Sequence, residues 1–181
     1  MHSSSLRIRE LTIFAMLGAL MTVSQVAMQA IPNVHILGLF IAAFTLTYRT
    51  RALIPIYVYV FLFGALNGFA FWWFAYLYIW LPLWGMFMIV SKLNFSLKIK
   101  VPIYMVLCGL HGLMFGTLYA PFQAFWFGLS FEGMIAWIIA GLPFDFIHGV
   151  SNFAAGTLII PLSELLSKLS NSKQTSPNIL R

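Results

Sequence analysis

The stretch PFQAFWFGLSFEGMIAWIIAG, residues 121–141, decides the architecture, because it is apolar enough to cross a membrane yet carries Gln123, Ser130 and Glu132. Read as a span it makes a seventh crossing; read as a connection it leaves six. Charge placement arbitrates. The next apolar run, Leu142 to Leu162, leads to Glu164, Lys168, Lys173 and Arg181, and basic residues at span ends belong on the cytoplasmic side. With six spans, Arg7, Arg9, Arg49, Arg51, Lys92, Lys98, Lys100, Lys168, Lys173 and Arg181 all fall on one side. A seventh sends the last three to the other. Residues 121–141 are therefore expected to form a long, partly helical outer connection between the fifth and sixth helices, lying in or dipping below the interface. Both termini are then cytoplasmic.

Composition supports a lipid solvent throughout. Of 181 residues, 61% are hydrophobic and 8% charged, with mean hydropathy +0.93, whereas soluble domains are about half apolar and about a quarter charged. Spans of roughly 20 residues leave room for about six helices with short links. The fold class expected is all-α integral membrane. Residues 1–10 form a cytoplasmic segment, 11–166 the six-helix membrane domain and 167–181 a cytoplasmic polar tail. The net charge of +6 does not point to nucleic acid, because the cations cluster at span ends. Cys108 is the single cysteine, so it forms no intrachain disulfide. It reads as packing. The opening MHSSSLRIRE precedes an apolar segment too long for a signal peptide and without a clear cleavage site, so that segment reads as a retained first span.

The remaining spans follow from the breakers. The first run, Leu11 to about Ala30, stops at Ile31-Pro32-Asn33. A second, Ile36 to Tyr48, is short and needs Val34 and His35 to approach bilayer thickness, so its start is expected to be irregular. The third runs from Ala52 to Phe71 and the fourth from about Ala75 to Val90, with the interfacial rings of Trp72, Trp73 and Phe74 between them. After the polar loop SKLNFSLKIK (91–100), the fifth runs from Val101 to Ala120.

Ionisable and amide side chains at membrane depth are costly, by at least about 2.5 kcal/mol for a charge at the centre, so each needs a reason. Asp145, His148 and Asn152 are spaced three and four apart, which puts them on one face of the sixth helix. Pro143 suits that helix's first turn, which sets Asp145 near its positive end. His111 lies about halfway along the fifth helix among Gly109, Gly112 and Gly116, which permit close helix approach. Asn67 sits between Gly64 and Gly68. These groups either lock the helices together or line a solute site. The outer side, nearly free of charge, adds Trp72, Trp73, Tyr76, Tyr119 and Trp126. The candidate solute-binding set is thus Asn67, Trp72, Trp73, Tyr76, His111, Tyr119, Trp126, Asp145, His148 and Asn152. No metal site or cofactor is expected.

Missing motifs narrow the function. No G-x-x-x-x-G-K-[ST], G-x-S-x-G or H-E-x-x-H occurs, so the chain has no P-loop and no common hydrolase signature. Energised transport therefore needs other subunits. Two alternatives stand: an intramembrane enzyme using His111, His148 and Asp145, and a stand-alone proton-coupled carrier.

In the first span, Ala15, Gly18 and Ala19 share one side near the cytoplasmic end, a small-residue face on which another helix could pack. Ala15-x-x-x-Ala19, the six short helices, the basic cytoplasmic ends, HGLMFGTLYAP (111–121) and LPFDFIHGVSNF (142–153) together resemble the substrate-binding S components of energy-coupling factor (ECF) vitamin transporters. The resemblance runs from about Leu11 to Leu166. It implies a non-enzymatic subunit of a bacterial plasma membrane that captures a water-soluble vitamin from outside with high affinity. Such a subunit joins a transmembrane T subunit and two ABC ATPases and topples to release its cargo inwards. It also implies that Ala15 and Ala19 meet the T subunit, and that the solute sits among the outer loops and the outer halves of the last three helices. His111 matches the stretch from which thiamine-specific members take a binding histidine, while 121–141 departs from those members. A small ring-containing B vitamin or a corrinoid such as cobalamin is the expected cargo.

Overall fold

The computed structural model describes residues 8–171, and those residues are helical apart from short links. Arg7, Lys173, Arg181 and most of the expected cytoplasmic tail lie outside them. The first helix, α1 (Ile8–Met28), is followed by α2 (Leu37–Tyr48), a 3-10 turn over Arg49–Ala52, and α3 (Leu53–Asn67). Next come α4 (Phe71–Tyr76), α5 (Leu81–Val90), α6 (Leu97–Leu113) and α7 (Phe115–Phe127). The chain then enters α8 (Phe131–Ala155), a second 3-10 turn at Gly156–Leu158, and α9 (Ile159–Asn171). Five helical segments are long and apolar enough to cross a membrane: Ile8–Met28, Leu37–Asn67, Phe71–Val90, Leu97–Phe127 and Phe131–Ser170.

The segment Leu37–Asn67 is not one rod. Gln29 at the end of α1 donates to Asn67 at the end of α3, and Glu10 at the start of α1 pairs with Arg51 just before α3, at 2.9 Å. The first and third helices therefore run parallel. Between them in sequence, α2 runs the other way: the Tyr48 ring at its end packs edge-on against Phe14 near the start of α1. The chain reverses at Arg49, whose φ of 57° is rare for a residue with a Cβ. That conformation is held from α5: the Arg49 guanidinium donates to Ser91 Oγ and to the Met88 carbonyl, and the Trp84 indole donates to the Arg49 carbonyl.

At 12 residues, α2 is about 18 Å long, too short to cross the roughly 30 Å hydrocarbon layer alone. It is instead the centre of the bundle. Every residue from Leu37 to Thr45 is buried, and a helix that is apolar on all sides must have neighbours on all sides. Those neighbours are α5, α6, α8 and α9, with α1 along part of its length. The short second run and its irregular start are as the sequence suggests: residues 29–36 form turns and extended chain before Leu37.

Residues 121–141 do not form a separate connection, which corrects the expectation. Their first part completes α7, which ends on Gly128 in the left-handed conformation (φ 63°), and their last part is the first half of α8. Glycine suits that helix stop because it has no Cβ to clash. Two residues later Ser130 starts the next helix, its Oγ accepting the Gly133 amide with Glu132 in the first turn. Consequently Pro143 lies in the interior of a 25-residue helix rather than in its first turn, and Asp145 is far from that helix's N-terminus. The long, lipid-type face of α8 includes Ile139, Phe144, Phe146 and Val150, all exposed. Its other face holds Asp145, Gly149 and Asn152 against α6 and α7.

The two ends of the bundle differ in charge. Arg49, Arg51, Glu10 and Ser91 are tied together at one end, and Thr47 reaches the Ser163 carbonyl there. At the other lie residues 29–36, the α3–α4 link and the α7–α8 turn, where Glu132 is the one ionised-type side chain other than histidine among the described residues.

Candidate functional site

The charge-poor end contains a cavity of about 330 Å³. Its walls come from the last turns of α1 (Gln25, Met28, Gln29), the connection Ile31–His35, Tyr76 at the end of α4, Phe115 at the start of α7 and His148 in the middle of α8. Each wall has a local cause. Pro32 and Asn33, the latter at φ 61°, turn the chain after α1 and aim His35 inwards. The break at Met114 between α6 and α7 brings Phe115 over His148, with ring centroids 5.0 Å apart.

The two imidazoles of His35 and His148 lie side by side, centroids 4.7 Å apart. Behind them is an aromatic layer: Trp80 is 6.4 Å from His35, 5.3 Å from Tyr76 and 6.0 Å from His111. Several buried polar atoms here have no hydrogen-bond partner among the described residues: Gln25 Oε1, His35 Nδ1 and His148 Nδ1 on the cavity, and Tyr59 OH and Trp80 Nε1 beside it. Buried polar atoms are nearly always paired, so five orphans within one neighbourhood make this cavity the candidate binding site. His35 belongs to the α1–α2 connection, outside the long helices. Burial, then the neighbouring His148 and His111, push its imidazole down to about 3, so it is neutral near pH 7.

Of the residues expected to bind solute, Tyr76 and His148 line this cavity. His111 lies just behind Trp80, its Nε2–H donating to the Ile79 carbonyl at 2.8 Å. The others do not line it. Asp145 Oδ1 accepts the Gly116 amide at 3.0 Å, at the start of α7. Asn152 donates to the His148 carbonyl and presses its Oδ1 on Gly38 of α2. Asn67 joins Gln29 and the Phe63 carbonyl. Trp73 donates to the Val60 carbonyl and Trp72 packs on Phe63, fastening α4 to α3. Tyr119 stacks on Trp137, and Trp126, half-exposed, stacks with Phe74. Asp145 and His111 hydrogen-bond the Gly116 amide and the Ile79 carbonyl, while the His148 ring packs beside His35. Among the described residues, no group of three His, Cys, Asp or Glu side chains is placed to hold a metal ion.

Gln25, His35, Phe115 and Trp80 were not singled out from sequence. A signal existed for the first two: a glutamine and a histidine on either side of a Pro-Asn turn, within an otherwise apolar stretch, need partners as much as Asp145 does.

The small-residue face on α1 also divides. A Cβ on Gly18 would lie 2.5 Å from Val58 Cγ1 and 2.9 Å from the Pro55 carbonyl oxygen, so Gly18 belongs to the α1–α3 interface and is not available to a partner. Ala15 is exposed and Ala19 half-buried.

No family model, curated protein or solved structure matches this chain. The functional reading therefore stands on the residues and their geometry.

Proposed function

We propose that the chain is the substrate-capturing S subunit of an ECF-type vitamin transporter, binding a small ring-containing solute in the cavity at its charge-poor end. One observation carries the reading: a cavity of about 330 Å³ whose walls combine aromatic rings with unpartnered polar atoms. Small-molecule sites are mostly apolar hollows of about 300–1,000 Å³ with a few convergent polar groups. This cavity lies at the lower end of that range, which favours a one- or two-ring vitamin over a corrinoid such as cobalamin.

The orientation follows from charge. The end bearing Arg49, Arg51, Lys92, Lys98 and Lys100 faces the cytoplasm under the positive-inside rule, so the cavity opens outwards and both termini are cytoplasmic, with the short buried α2 and α3 running back to back as the second and third of six helical passes. The driving force comes from partners, a T subunit and two ABC ATPases, since the chain carries no P-loop. Ala15 and Ala19 offer the T subunit a shallow face near the cytoplasmic end.

The test is direct. The full chain, purified from its membrane, should retain a vitamin identifiable by mass spectrometry after denaturation, and in vesicles without partners should bind that solute but not accumulate it. Net accumulation by the chain alone, or covalent conversion of the solute, would overturn the reading.

A further inference from the structure

The cavity is polar without being charged. Its polar lining is Gln25, Gln29, Asn33, His35, Tyr76 and His148, and no Asp, Glu, Lys or Arg side chain borders it among the described residues. Asp145, three residues before His148 on α8, does not line the cavity; its Oδ1 accepts the Gly116 amide and its Oδ2 has no partner among the described residues. A solute with a permanent charge would lose its hydration in this cavity and gain no counter-charge, a cost that buried ions avoid only by pairing.

The orphaned atoms define the other half of the recognition. Gln25 Oε1 is an acceptor. In their Nε2–H tautomers, His35 and His148 each present Nδ1 as an acceptor as well. With both rings in that tautomer, the three acceptors match a ligand edge rich in N–H groups. Phe115 and Tyr76, edge to face with centroids 6.5 Å apart, form adjoining flat walls on which a planar ring can rest.

Resting on the capture function proposed above, we propose that the solute is an uncharged, planar nitrogen heterocycle of one or two rings, whose N–H donors engage Gln25 Oε1 and the Nδ1 atoms of His35 and His148. The class excludes vitamins that are permanently cationic, such as thiamine, and those that carry a carboxylate, such as nicotinate or pantothenate. Discrimination is steep, because a site built around hydrogen bonds leaves its own buried groups unpaired when the ligand lacks the matching donor.

The experiment is a calorimetric titration at pH 7.5 of the purified, solute-stripped full chain. The probes are adenine, guanine, cytosine and nicotinamide, the same compounds methylated on their N–H donors, and thiamine, nicotinate and pantothenate. The expected result is that at least one unmethylated neutral heterocycle binds at least 100-fold more tightly than its methylated form and than every charged probe. Gln25→Leu should weaken that ligand at least tenfold while leaving the melting temperature of the ligand-free chain unchanged. The methylated probes keep the test valid if that variant fails to fold. Tightest binding of thiamine, nicotinate or pantothenate would overturn the ligand class and leave the capture function standing. Absence of binding by every probe, in a preparation that also yields no retained solute, would overturn both.

Discussion

Asp145 Oδ1 accepts the Gly116 amide at 3.0 Å, and the carboxyl lies so close that a Cβ on Gly116 would stand 2.4 Å from Oδ2. The first amides of a helix lack partners within it, and the break at Met114 makes Gly116 one of the first of α7. Asp145 supplies that partner from α8, across the helix pair. One oxygen of this carboxyl at membrane depth thus serves a helix terminus, while Oδ2 is buried without a partner among the described residues.

Asp145→Ala should therefore act on stability first. Leaving a buried amide unsatisfied costs about 1–3 kcal/mol, which should appear as a lower apparent melting temperature in detergent, with Asp145→Asn closer to the parent because it keeps an acceptor at Oδ1. An Asp145→Ala chain that melts like the parent but no longer binds solute would return this residue to the binding site.

Gly112 on α6 faces the backbone of α8: an added Cβ would lie 2.6 Å from the His148 carbonyl oxygen and 2.9 Å from Gly149 Cα. Backbone cannot step aside as a side-chain tip can. Gly112→Ala should force α6 from α8, at the roughly 1–3 kcal/mol typical of overpacking, and should shift His148 enough to weaken solute binding tenfold or more. Gly141→Ala, with nothing within 4 Å, is the matched control and should change neither melting nor affinity.

How much of this was legible in the sequence differs by feature. The face formed by Asp145, His148 and Asn152 was readable because a helix stacks positions three and four apart, and that face does turn towards protein. The helix–turn–helix at 121–141 was hidden by a whole-segment charge argument, although its local signals are present: Gly128 as a stop and Ser130 with Glu132 as a start. Gly18 could not be separated from Ala15 and Ala19 by sequence alone, since which flank of α1 meets α3 is set by tertiary packing with Val58 and Pro55. The cavity was half legible for the same reason. Tyr76 is legible as one of the outer aromatics and His148 as a polar group at membrane depth, whereas His35 reads only as an extension of a short span, a shortness that the buried α2 explains.

His35 gives a pH dependence with a definite sign. Its folded pKa is lowered from 6.5 to about 3 by burial and by His148 and His111, so between those values the unfolded chain binds the extra proton and folding is opposed. The contribution is absent above about pH 6.5 and grows as pH falls towards 3. Melting temperature should therefore drop between pH 7 and pH 5, and His35→Gln should remove part of that slope. An unchanged slope in the variant would show that His35 is not the group responsible.

Under the proposed function, Ala15 and Ala19 offer a way to separate capture from delivery. Ala15 is exposed on α1, on a flank distinct from the Gly18 contact with α3 and remote in sequence from Gln25 and Gln29 at the cavity. A large ring there meets open surface, so Ala15→Trp should fold normally and keep its solute affinity within twofold. A partner helix packing on that face, in contrast, would be held off, because close approach in lipid depends on small side chains. Uptake by the chain together with the proposed T subunit and ATPases should then fall more than tenfold. Gly18→Val serves as the opposing case: its Cβ would collide with Val58 and the Pro55 carbonyl, so it should lose stability and binding together. Normal uptake by Ala15→Trp would remove this face of α1 from the docking surface and leave the cavity assignment untouched.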